Sequence, residues 1–296
     1  MTFKIGFAAF EEKEEKAAEV SPAMEETRPR RSVVQVRFPE RGMMLSYYND
    51  RFDLHRGDFV YVEGKLEGKR GIVTGVDYNF HIRLADYKRV IGVADTNVSG
   101  RFTLAGSHVL TFDRAALPRR KVMSWYKAPS KPDTEYACGS DDSTFPLREL
   151  HRMRVDVAVA ERGYAYYAEN RVRYLCLDGM KGYALVEGTE PYDVEFVYSD
   201  GMIYALTCSC YCVGNCKHEV AAMLQLREML DRIEENYAGE YAATGYFAAV
   251  AKDALLSLAV NDKTTGTLTL EPRAADEPDF DAEFDGGDEE RDDSDW

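Results

Sequence analysis

Five side chains that commonly bind metal ions lie within eleven residues of this sequence: Cys208, Cys210, Cys212, Cys216 and His218. Tetrahedral zinc takes four thiolate or imidazole ligands, and two cysteines one residue apart can bind the same ion when the backbone between them turns tightly. The two remaining cysteines stand alone, so a disulfide framework does not explain the cluster. The spacing predicts one zinc ion in a closed, four-ligand structural site.

The first thiolate pair has two alternatives, Cys208 with Cys210 or Cys210 with Cys212. The second pair is Cys216 with His218, where a helix is expected to begin, and residues 213–215 are turn formers that separate the two pairs. Spacing alone therefore leaves two possible ligand sets.

The order Cys-x-Cys, short spacer, Cys-x-His resembles the SWIM zinc finger, and the resemblance covers roughly residues 160–228. Further segments that carry it are Gly163-Tyr164, Arg171-Val172, Gly188-Thr189-Glu190-Pro191-Tyr192-Asp193-Val194 and Cys216-Lys217-His218-Glu219-Val220-Ala221-Ala222. Because Cys-Ser-Cys is typical of the family, the resemblance implies that Cys208, Cys210, Cys216 and His218 are the ligands. Tyr211 stands where many members have proline, and Cys212 is a possible alternative ligand.

Charge is distributed unevenly along the chain, whose formal net charge is -15. Residues 28–131 hold 20 Lys and Arg against 10 Asp and Glu, whereas residues 132–275 hold 13 against 23. From residue 276 onward there is 1 basic residue against 12 acidic ones. If the chain binds nucleic acid, the basic first half is expected to make the phosphate contacts.

The first half also contains short β-type runs separated by turn residues, at 33–38, 45–48, 58–63 and 71–76, which favour a small barrel. Residues 57–64 and 67–73 resemble the KOW motif of SH3-like barrels, and this resemblance implies RNA, transcription or ribosome partners. The basic side chains predicted to contact nucleic acid are Lys65, Lys69, Arg70, Lys88 and Arg89.

The second half combines β-type runs with a helical period. Apolar residues from Met223 to Tyr237 recur at steps of three and four, which predicts a helix, and another is expected over 245–260. The predicted fold class is α+β, with an N-terminal SH3/KOW-like barrel and a C-terminal β-hairpin, zinc-knuckle and helix unit. The predicted divisions are a mobile arm (1–31), barrel (32–117), linker (118–146), SWIM domain (147–270) and disordered acidic tail (271–296).

A binding protein is the leading functional hypothesis, with nucleic acid on the basic half and a protein partner on the SWIM half. A pure protein-interaction adaptor is the alternative, and a nuclease of a defence or mobile-element system is a third possibility. An enzyme is not expected, because His55, His81, His108 and His151 are isolated and no phosphate loop or Gly-x-Ser-x-Gly motif occurs. No secretion signal or membrane-length apolar segment is found, so the cytoplasm is the expected location and no membrane partner is expected.

Overall fold

The computed structural model describes residues 29–129, 144–260 and 267–271. The fold is mixed α+β and consists mainly of two sheets. The strands are β1 (Ser32–Phe38), β2 (Met43–Asn49), β3 (Phe59–Val62), β4 (Arg70–Asp77), β5 (Val90–Val93), β6 (Ser99–Ala105), β7 (His108–Thr111), β8 (Phe145–Pro146), β9 (Val172–Asp178), β10 (Lys181–Glu187), β11 (Pro191–Ser199), β12 (Met202–Cys208), β13 (Tyr246–Ala251) and β14 (Thr267–Glu271). The α-helices are α1 (Arg119–Tyr126), α2 (Val157–Ala168), α3 (Lys217–Asn236), α4 (Ala238–Thr244) and α5 (Lys252–Ala254), with a π-helical turn continuing to Val260.

The first sheet has the strand order β2-β1-β4-β3-β5. Side chains alternate along β1, so Val34, Val36 and Phe38 are buried in the core of this sheet while Arg37 is exposed. The hairpin β3–β4 reverses through Gly64 and Gly68, whose φ angles of +94° and +79° favour glycine.

The predicted closed barrel is wrong. The described strands form an open sheet with β2 and β5 at its edges. Between these edges there is one isolated bridge among the described residues, from Tyr48 of β2 to Arg89 just before β5, and no continuous ladder. A run of short strands predicts a curved sheet, but closure depends on pairing between strands about 40 residues apart, which local patterns do not encode.

The larger sheet has the order β14-β6-β7-β13-β9-β10-β11-β12-β8. Its central strand β9 is buried on both faces: Leu175 and Leu177 belong to the core beneath α3, and Tyr174 and Cys176 to the core beneath α1. Strand β10, beside β9, has a similarly buried run. Helices cover both faces here, so the strands are continuous apolar runs without polar alternation.

The expected helix over 245–260 is wrong in its first half. Residues Tyr246–Ala251 form β13, which is buried throughout and lies between β7 and β9. A short apolar run rich in alanine has no polar alternation, and its periodicity therefore does not distinguish a doubly buried strand from a buried helix. The predicted helix from Met223 onward is confirmed as α3.

Segments from the predicted barrel and linker contribute to the larger sheet and its cover. Strands β6 and β7 pair in that sheet, and α1 buries Val122 and Trp125 completely in the core beneath it. The predicted domain boundaries stay a prediction. Most of the predicted arm (1–31) and of the acidic tail (271–296), and residues 130–143 of the predicted linker, lie outside the described residues.

None of the described helices is both long enough and apolar enough to cross a membrane.

Candidate metal centre

The cysteine-rich cluster lies where the larger sheet meets the longest helix. Cys208 is the last residue of β12, Cys210 follows in the connecting loop, Cys216 is the N-cap of α3, and His218 lies in the first turn of α3. Strand and helix are both anchored in one core, because Leu206 of β12 and Val220 of α3 pack in the same cluster. Two buried elements therefore position three of the four side chains.

The ligand atoms of these four residues all lie within 4.8 Å of one another. The His218 Nδ1 atom is 3.7 Å from the Sγ atom of Cys208 and 3.7 Å from that of Cys216. A tetrahedral zinc ion with bonds of about 2.3 Å to sulfur and about 2.0 Å to nitrogen separates such atoms by about 3.5 Å. The two distances from His218 to sulfur therefore fit a zinc-sized ion.

The start of α3 organises the cluster through a capping box. The backbone N–H of Glu219 donates to the Cys216 thiol, and a carboxylate oxygen of Glu219 accepts from the Cys216 backbone N–H at 2.7 Å. The N-terminus of a helix also favours negative charge, which helps the Cys216 thiolate. The sequence interpretation missed Glu219, although Cys216-x-x-Glu219 has capping-box spacing.

Proton affinities in the cluster differ because the thiols are crowded together. Hydrogen bonding from Cys208, with further donors from His218 and the helix start, lowers the pKa of Cys216 to about 4. The pKa of Cys208 is raised, first because its thiol donates to Cys216 and then because it is buried. Burial raises the pKa of Cys210 to about 12. A bound divalent cation would compensate several thiolates at once, which a single proton cannot do.

Aromatic rings hold His218 in place. Tyr192 stacks on its imidazole at 4.1 Å between ring centroids, and Tyr166 meets it edge-on at 5.5 Å. The Nδ1 atom faces the sulfurs, while Nε2 is buried with no hydrogen-bond partner among the described residues. Neither tyrosine was identified as a site residue from the sequence, although Tyr192 lies within the segment 188–194.

The loop carrying Cys210 is tied to β11. Asp193 and Ser209 exchange two hydrogen bonds of 2.9 Å, from the Ser209 backbone N–H to the Asp193 carbonyl and from the Asp193 backbone N–H to the Ser209 hydroxyl. The Asp193 carboxylate in turn accepts from the Tyr183 hydroxyl and pairs with Lys127. These contacts tie the loop that carries Cys210 to β11 and, through Asp193, to Tyr183 and Lys127.

Cys212, the alternative ligand, is exposed and is not part of the four-residue group. The group that the structure brings together is Cys208, Cys210, Cys216 and His218. Which thiols bind the metal in solution stays a prediction, tested by the variants in the Discussion.

The five predicted nucleic-acid contacts fall into different environments. Lys65 and Lys88 are exposed and adjacent, since the Lys88 side chain packs over Gly64, and neither has an acidic partner among the described residues. Lys69 pairs with Glu40, Arg89 pairs with Asp50, and the Arg70 guanidinium donates to the carbonyl oxygen of Trp125.

Removing the Glu219 carboxylate tests its positioning role. We expect Glu219→Ala to lower the free energy of unfolding by about 1 kcal/mol and zinc affinity by about tenfold or more. Glu219→Gln keeps an acceptor for the Cys216 N–H and should retain most of both. Denaturant unfolding and competition with a zinc chelator measure the two effects. Equal losses in both variants would show that the negative charge of Glu219, and not its hydrogen bond, is what matters.

Fold and cluster together define a mixed α+β protein with a Cys3His group that could hold a metal ion such as zinc. No protein-family model matches the chain. No curated protein and no solved structure matches it significantly. The resemblances to SWIM fingers and KOW motifs therefore stay predictions.

Proposed function

We propose that this chain is a SWIM-type binding protein in which one zinc ion is structural. The convergence of three thiols and one imidazole within 4.8 Å is the observation that carries the proposal. Four protein ligands complete a tetrahedral shell and leave no position for a substrate or a reactive water. The metal's role is then to hold the end of β12 and the start of α3 together, and the protein acts by binding and not by catalysis.

Nucleic acid is the partner that we propose for the first half. The charge excess of residues 28–131 supports it, and so does the exposed pair Lys65 and Lys88 at the β3–β4 hairpin. A lysine without a carboxylate partner can neutralise a phosphate without first breaking an ion pair. Lys69 would have to leave Glu40 first, and Arg89 would have to leave Asp50. Lys65 and Lys88 are therefore the leading contacts of the five.

A protein partner is proposed for the second half, as the alternative or additional function. Tyr211 is 82% exposed and Val213 fully exposed, and both lie in the loop between the two ligand pairs. Tyrosine is enriched at protein interfaces, while the acidic surroundings disfavour phosphates. A loop that presents exposed apolar side chains between two pairs of metal ligands supports a protein contact at this end.

Neutralising the two lysines tests the nucleic-acid part. We expect Lys65→Gln/Lys88→Gln to weaken binding of RNA or DNA uniformly across sequences. It should also reduce the slope of log affinity against log salt by about 1.4 to 1.8, since each of the two lost phosphate contacts removes about 0.7 to 0.9. Fluorescence anisotropy with labelled single- and double-stranded probes measures both.

The matched control is Lys181→Gln/Lys252→Gln, which makes the same charge change in the second half. If the control reduces the slope as much as the test variant, the surface is assigned wrongly. If the unaltered protein binds no RNA or DNA probe at low salt, the adaptor function replaces the proposal.

A further inference from the structure

Strand β2 leaves an open backbone edge on the first sheet. Along an antiparallel pair, residues alternate between bonding to the partner strand and pointing away from it. The Tyr48 N–H belongs to the outward set, because it donates to the Lys88 carbonyl at 2.9 Å. Met44 and Ser46 alternate with it, so their N–H and C=O groups also point outward, and no described residue bonds to them. Such groups can pair with one further strand.

The apolar core of the first sheet is uncovered at this edge. Met43 and Leu45 pair with Phe38 and Val36, which are buried in that core, and directly paired residues point to the same face of a sheet. Met43 is nevertheless 43% exposed and Leu45 is 38% exposed. Apolar side chains on an added strand would extend the core over them.

The opposite face of the edge is basic. Met44 pairs with Arg37, which is exposed and has no acidic partner among the described residues. Arg41, in the turn just before β2, is also exposed and lacks such a partner within the described chain. Strand β2 itself contains neither a charged residue nor a proline, so it lacks the usual features that prevent strand addition at an edge.

One segment of the acidic tail has the complementary pattern. Phe280, Ala282 and Phe284 alternate with acidic residues at 279, 281, 283 and 285. Alternation over seven residues is typical of a strand with one apolar and one polar face. Beside β2, this segment would place its phenylalanine rings on the core face and its carboxylates on the face of Arg37.

The connection from the described chain to this segment is short but long enough for a contact across the molecule. Residues 272–280 follow the end of β14 and span up to about 30 Å when extended. Leu268 of β14 packs against the core that contains Leu258, and Leu258 and Glu40 line the same cleft between the two sheets. Glu40 lies in the turn that leads into β2. The end of β14 is therefore linked to the start of β2 by a short series of contacts.

We propose that residues 279–285 dock as an additional strand on the outer edge of β2. A second copy of β2 is the competing occupant, but it has no carboxylate to offer Arg37, whereas the tail segment supplies four. Docking would satisfy the outward backbone groups of Met44 and Ser46 and cover an edge that otherwise favours association between chains. The proposal stands on this edge and this segment, and it does not need the nucleic-acid function.

Hydrogen exchange in the full-length chain tests the proposal. We expect Phe280→Ser/Phe284→Ser to accelerate exchange of the amides of Met44 and Ser46 by about tenfold, the factor for a contact that is occupied about nine-tenths of the time. Added salt should accelerate the same two amides in the unaltered chain, because it screens the carboxylates from the arginines. Trp296→Ser removes an aromatic side chain from the same tail outside the segment, and it should leave the exchange rates unchanged.

A synthetic peptide of residues 276–288 provides an independent measurement. It should bind the Phe280→Ser/Phe284→Ser chain, whose edge is open, and adding Ser46→Pro should weaken that binding at least about tenfold. The Ser46 N–H points away from β1, so the proline removes an outward donor and leaves the β1–β2 ladder intact. Thermal unfolding checks that the variant is folded.

Three results would overturn the proposal. The first is equal exchange of the Met44 and Ser46 amides in the unaltered chain and in Phe280→Ser/Phe284→Ser. The second is protection that rises with protein concentration together with a dimer in sedimentation, which would assign the edge to a second copy. The third is peptide binding that Ser46→Pro leaves unchanged while thermal unfolding is normal.

Discussion

Freshly purified, reduced protein is expected to contain one zinc ion per chain, and Cys216→Ser is expected to lose it. Structural zinc in a closed four-ligand site provides about 10 kcal/mol of apparent binding free energy. A serine hydroxyl is a poor replacement for a thiolate, and Cys216 is also the buried N-cap of α3. The variant should therefore lose most of its metal and unfold at a clearly lower temperature. Elemental analysis and thermal unfolding measure the two effects.

The exposed thiol supplies the matched control for this experiment. Cys212→Ser makes the same atomic change in the same loop but outside the four-residue group, so zinc content and stability should stay unchanged. Cys208→Ser should behave like Cys216→Ser. If instead Cys212→Ser lost zinc and Cys208→Ser kept it, the first ligand pair would be Cys210 and Cys212. Absence of zinc from the unaltered, reduced protein would contradict the central proposal.

The second large effect is expected from Gly163→Ala in α2. A Cβ atom at Gly163 would lie 2.4 Å from the Cβ of Val220 and 3.1 Å from the Lys217 carbonyl, both in the first turn of α3. Alanine favours a helix over glycine by about 1 kcal/mol, but overpacking costs about 1–3 kcal/mol when rigid neighbours must move. Because Val220 is β-branched and Lys217 contributes backbone, the clash should dominate, lowering the free energy of unfolding and weakening zinc binding beside it.

Gly239→Ala in α4 is the opposite case. Nothing lies within 4 Å of a Cβ at this position, and its φ angle is not positive. The substitution should raise the free energy of unfolding by about 0.5–1 kcal/mol. Denaturant unfolding of both variants gives the comparison. If Gly163→Ala were as stabilising as Gly239→Ala, α2 and α3 would not pack as closely as the structure indicates, and α2 would not support the metal centre.

Local features of this protein follow from the sequence by itself. The candidate metal group spans eleven residues, so its side chains are close because the chain connecting them is short. Their types and spacing identify the cluster but leave Cys212 as an alternative to Cys208, and only the structure separates Cys212 from the four-residue group. The apolar period from Met223 onward is likewise a local property, and it identifies α3. The reversal at Gly64 and Gly68 is local as well, since it depends on the conformational freedom of glycine.

Features that depend on distant residues were decided only by the tertiary structure. Residues 246–251 form a strand because β7 and β9 pair with them on either side. Strands β6 and β7 belong to the larger sheet because β7 pairs with β13, which is far away in the sequence. Whether a basic side chain is available also depends on residues far along the chain: Asp50 neutralises Arg89, while the Arg70 guanidinium donates to the carbonyl oxygen of Trp125. Burial and ion pairing are properties of the packed molecule, and the period and composition of a segment carry no information about which distant segment will pack against it.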